Sequence, residues 1–98
     1  MSWDEYHARK AVIDEVLELA ATDPIGALRV HGVDSLFGGP EGLLRALQYR
    51  WTNHLDAKLD YALETGADPA DAWAELAAEQ PVLRALLDDH RTRLPIAA

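Results

Sequence analysis

The chain has no cysteine, which removes disulfides, thiolate metal sites and cysteine nucleophiles together. A reducing compartment fits that absence. Strand-forming material is also scarce: Val, Ile and Thr are few and never form an alternating run, a poor supply for a sheet. No apolar stretch approaches the roughly 20 residues that a membrane-spanning helix needs. The opening Met1-Ser2-Trp3-Asp4-Glu5-Tyr6 has no basic stretch ahead of an apolar one, so the expectation is a cytoplasmic protein with no signal peptide and no membrane partner. Positive charge is short too. Nine Lys and Arg face 17 Asp and Glu, a net charge of −8. Such a surface repels a phosphate backbone, and nucleic acid is not an expected partner.

Chemistry motifs are missing as well. There is no His-x-x-x-His pair and no His-Glu-x-x-His, the helical spacings that hold zinc. Ser2 reads as a helix cap, and Ser35 and the threonines lie in no strained turn beside a His and an acid. Gly38-Gly39-Pro40-Glu41-Gly42 is glycine-rich, but no strand precedes it and no lysine follows, as a phosphate loop requires. Glu41 in the first helical turn also opposes an anion there. No catalytic residue, metal ligand or cofactor is assigned.

What is present makes helices. Hydrophobic residues are 49% of the chain, led by Ala and Leu, both strong helix formers. Richness in Ala, Leu, Arg and Asp with little Lys is the composition of a GC-rich coding sequence. The length predicts one helical domain over residues 1–98, with 95–98 a loose tail after Leu94-Pro95. Ser2 and Glu5 form a capping box for a helix over about 3–21, with Tyr6, Ile13, Val16, Leu17 and Ala20 on one face. Asp23-Pro24 starts a short helix over about 24–30, with Ile25 and Leu28 inward and Gly32 placed to end it. Residues 31–39 read as a loop whose Leu36 and Phe37 plug the core.

Pro40 opens the longest element, about 40–65, stopped by Gly66 and spanning roughly 39 Å. Leu44, Leu47, Trp51, Leu55 and Ala62 form its stripe, widened by Leu43 and Tyr61 on one side and by Leu59 and Leu63 on the other. One neighbouring helix cannot cover that width. Asp68-Pro69 begins a helix over about 69–79, with Trp73, Leu76 and Ala77 inward. Gln80-Pro81 breaks it and starts another, about 81–92, with Val82, Leu83, Leu86 and Leu87 inward. The expected architecture is all-α: a compact bundle of four to five helices around the 40–65 helix. Its core is read as Ile13, Val16, Leu17, Leu28, Leu44, Leu47, Trp51, Leu55, Trp73, Leu76, Leu83, Leu86 and Leu87.

Four constellations bear on function. Arg50, His54 and Lys58 follow at four-residue intervals along one flank of the Trp51 stripe, and Lys58 projects almost into its middle. A cation there must be paired, must reach solvent along its stem, or must line a cavity. The first alternative makes it structural, paired with carboxylates of the first helix or of 69–79. The last makes a small-molecule or anion site, of a binding protein or a minor enzyme, from Arg50, Trp51, His54, Lys58 and Tyr61, joined by His90 from the last helix. Glu15-x-x-Glu18 resembles half of the Mg²⁺-holding pattern of all-helical nucleotide pyrophosphohydrolases. The motif is incomplete: Asp56 and Asp60 are one position too far apart, and Asp68-x-x-Asp71 has the right interval but includes an N-cap, which leaves a Mg²⁺-dependent nucleotide hydrolase as a third option. Asp4-x-x-His7 likewise resembles half of one di-iron unit.

The fourth is acidic. Residues 56–79 hold seven acids against one base, Lys58. Asp56, Asp60 and Glu64 stack on one helix, and Asp71, Glu75 and Glu79 on the next. Such stripes keep a protein soluble, and they also select a basic surface on a partner. The leading expectation is therefore a non-enzymatic interaction module, a small acidic adaptor or regulator. It binds a partner protein, or a second copy of itself, through the broad side of the 40–65 helix.

Overall fold

The computed structural model describes residues 2–93, with side chains placed for 2–89. The tail expected at 95–98 and the side chain of His90 lie outside the described residues. Those residues form six helices and no strand: α1 (Trp3–Ala20), α2 (Pro24–Ala27), α3 (Val33–Phe37), α4 (Pro40–Thr65), α5 (Pro69–Glu79) and α6 (Pro81–Arg93). The chain makes two compact units, residues 1–47 and 48–98. The long helix α4 runs unbroken across the division.

In the first unit α1 begins where Ser2 Oγ accepts the Glu5 N–H at 3.1 Å, satisfying one of the free donors of the first turn. Its buried stripe is Val12, Val16 and Ala20, spaced by four, with Ile13 and Leu17 half-buried beside it. That stripe is turned away from Tyr6, which is 50% exposed rather than inward. Against α1 pack α2 and α3. Asp23 caps α2 through Gly26 N–H at 2.9 Å. That helix ends at Ala27, shorter than expected, and Ile25 is exposed, because a single turn has no second row of side chains to bury.

The segment expected as a loop at 31–39 carries the five-residue α3. Gly32 does adopt a left-handed conformation (φ 98°), but as the residue that opens α3 rather than one that closes α2. Phe37 is buried, as expected, with the Arg9 guanidinium 4.7 Å from its ring centroid. Gly38 and Gly39 turn the chain sharply at φ 76° and 115°, angles that an L side chain resists. Directly after that turn, the first turn of α4 presses against α3. A Cβ on Gly42 would overlap the Phe37 carbonyl oxygen and lie 2.8 Å from its carbon. Leu43, Leu44 and Leu47 complete this core, with Leu43 and Leu47 fully buried.

In the second unit α4 ends in a left-handed Gly66 (φ 74°), and Ala67 N–H reaches back to Ala62 O at 2.9 Å. This six-to-one bond satisfies a carbonyl of the last turn. Asp68 then caps α5 through Ala70 N–H at 2.9 Å. At Gln80 the helix stops, since Pro81 offers no N–H and excludes the α conformation before it. The pair α5 and α6 pack together, and Trp51, Ala62, Ala72, Leu76, Leu83, Leu86 and Leu87 are buried. Trp73, expected in the core, is 45% exposed. It meets the buried Trp51 edge-on, with centroids 5.9 Å apart and planes at 70°.

Candidate functional site: the polar flank of the long helix

On α4 the four-residue spacing of Arg50, His54 and Lys58 sets one side chain per turn along a single flank. In the second unit each has a different fate. Lys58 Nζ donates to Glu75 Oε1 at 3.1 Å and to Glu79 Oε1 at 3.0 Å. Its stem is drawn in, leaving the side chain 24% exposed. The hydrogen bond to Glu79, then that to Glu75, raises the Lys58 pKa above its ordinary value, against the opposing effect of desolvation. His54 is exposed and meets Gln80 across the unit, with Nδ1 and Nε2 2.6 Å apart. Arg50 is half-buried, and its Nε is sealed from solvent without a hydrogen-bond partner. The flank therefore leans on α5 and its end. Lys58 follows the paired alternative, on carboxylates of the 69–79 helix.

Two further groups were not singled out from sequence. Arg84 on α6 lays its guanidinium over Trp51 at 4.5 Å and near Trp73 at 5.8 Å. Its Nη2 and Nε both donate to Asp88 Oδ1, at 2.6 and 3.1 Å. The Arg84–Asp88 interval is legible as a helical ion pair. The stacking is not, because it depends on which helix faces Trp51. Gln80 looks like a mere helix breaker, yet its side chain reaches His54.

Beyond Lys58 a groove of about 120 Å³ opens between the end of α4 and the start of α5, lined by Lys58, Tyr61, Ala62, Ala67, Asp68, Asp71, Ala72 and Glu75. Ala62 and Ala72 make a buried floor, and Tyr61, 69% exposed, stands as a wall. Tyr49 and Leu63 on α4 are 69% and 75% exposed. They share the outward side with Asp56 and Asp60, all exposed, and Glu64 stands exposed at its edge. On α5, Asp71 is exposed, while Glu75 and Glu79 are engaged with Lys58.

In the first unit Glu15 and Glu18 are exposed on α1. The His7 ring rests edge-on against Trp3, 4.4 Å away, beside Tyr6. Among the described residues no three His, Asp or Glu side chains converge as a metal ion would require, and no helix is long and apolar enough to cross a membrane. No protein family, curated protein or solved structure matches the chain.

Proposed function

We propose that this chain is a non-enzymatic, acidic interaction module that docks a basic partner protein along the outward side of α4. One observation carries the reading. In residues 48–65, Tyr49 and Leu63 stand 69% and 75% exposed on the same side as exposed Asp56 and Asp60, with exposed Glu64 at its edge. Apolar anchors among charges of one sign are how a docking face combines desolvation with partner selection. A second copy of the chain fits less well, since a two-fold contact would set like-charged stripes against each other. The test is sedimentation of the purified chain, followed by titration with a lysine-rich amphipathic helical peptide and with its glutamate counterpart. The expected result is a monomer that binds only the lysine peptide, more weakly as salt rises, and more weakly again after Leu63→Asp. A monomer indifferent to both peptides would remove the reading, and a stable dimer would move it to self-association.

The anion or small-ligand reading has one observation in its favour, the unpartnered Nε of Arg50. Against it, Lys58 is already held by two carboxylates. The nearby groove, about 120 Å³, is well below the roughly 300 Å³ at which small-molecule sites begin. Inorganic phosphate decides between them. A Tm that rises with phosphate in the native chain and not in Arg50→Met would favour the ligand reading.

A further inference from the structure

The groove at the end of α4, about 120 Å³, is about the size of one long side chain. Its floor is apolar, made by Ala62 and Ala72, 3% and 7% exposed. Its rim is acidic. Asp68 spends one oxygen on the Ala70 N–H, Glu75 spends one on Lys58, and Asp71 stands exposed on the rim. Two positive features oppose these three carboxylates: the Lys58 ammonium, drawn towards Glu75 and Glu79, and the partial charge of the α5 N-terminus, worth roughly half an elementary charge. The balance is negative, so an anion is disfavoured and a cation favoured. Tyr61 adds an aromatic wall that is 69% exposed, a surface on which a planar cation can stack.

We infer that this groove is the specificity pocket of the docking face and takes an arginine side chain of the partner. The guanidinium meets Asp71 and the second oxygens of Asp68 and Glu75, and its plane lies on the Tyr61 ring. Arginine suits the site better than lysine. It stacks on aromatic faces and presents several donors at once to a divided set of acceptors, whereas an ammonium is more strongly hydrated. The inference rests on the proposed function and sharpens it, since it names the side chain the partner must supply and the place it enters.

Arginine amide is the direct probe, with its neutral isostere citrulline amide as control, and backbone NMR shifts as the readout. Arginine amide is expected to shift the signals of Ala67, Asp71 and Ala72 with weak, salt-sensitive affinity, and citrulline amide to leave them still. Asp71→Asn removes one exposed charge and is expected to weaken binding roughly two- to fivefold. Ala67→Phe, at an exposed position on the groove wall, is expected to fill the space and abolish binding, with circular dichroism confirming the fold. Equal shifts from citrulline, shifts mapped elsewhere, or undiminished binding by Ala67→Phe would each overturn the assignment. The lysine-rich peptide separates the groove from the docking face. If it binds Ala67→Phe protein in an arginine-substituted form no worse than native protein, the groove assignment fails while the docking face stands. If neither form binds the native chain, the face itself fails.

Discussion

Lys58 is held by two carboxylates and also borders a groove. Its projection towards the apolar stripe demanded a partner, a path to water or a cavity. The fork to Glu75 and Glu79 supplies the partner, and the groove lies on its other side. Because those bonds favour the charged form, the folded-state pKa lies above the ordinary 10.5. The stabilisation is therefore fully present below the unfolded-state value and is lost as pH rises through the raised folded-state value. Lys58→Met is expected to lower Tm at neutral pH, by an amount that stays constant until about pH 10 and shrinks above it. Thermal unfolding of both proteins across the alkaline range checks this. A gap that persists unchanged above pH 12 would mean that the stem's packing, not the charge, holds α5 to α4. The sequence left three courses open to Lys58, a partner, a path to water or a cavity, because the choice among them depends on how α5 lies against α4.

At the scale of the element, the chain announces its helices through proline, glycine and small polar caps. Pro40 and Gly66 bracket α4, Asp68-Pro69 opens α5, and Pro81 opens α6, all where the sequence placed them. Failure comes where an element is too short to show a period. Within Val33–Phe37 there is barely more than one turn, so its helix was invisible and its residues read as loop. Trp73 misled for a different reason: its spacing puts it beside Leu76, but it sits at the rim of the α4–α5 contact, where half of its surface stays wet. Gly42 was legible only as part of a glycine-rich stretch. Its role comes from the close approach of α4 to the Phe37 carbonyl. Elsewhere in a helix, replacing Gly by Ala stabilises by about 0.5–1 kcal/mol. Here the sign is expected to reverse. Gly42→Ala must push two helices apart and is expected to destabilise by about 3 kcal/mol, the upper range for overpacking, measurable by urea unfolding. A neutral or stabilising result would show that the contact between α3 and α4 is loose.

For the whole molecule the governing quantity is the net charge of −8. Self-repulsion opposes folding, and the same field attracts basic surfaces. The two consequences respond oppositely to salt. Screening shortens the reach of charge from about 30 Å at 0.01 M to about 10 Å at 0.1 M, so added salt should raise Tm while weakening the lysine-rich peptide. One substitution separates this trade from ordinary salt effects. Asp60 stands four residues from both Asp56 and Glu64, each a like-charge neighbour costing about 0.2–0.5 kcal/mol. Asp60→Lys turns two repulsions into two attractions and brings the net charge from −8 to −6. It is expected to stabilise the fold by about 1 kcal/mol, the summed swing of the two pairs, and to weaken peptide binding. Greater stability bought with weaker docking would mean the stripe is kept for a partner. Greater stability with unchanged docking would mean that the acids serve only to keep the protein dissolved.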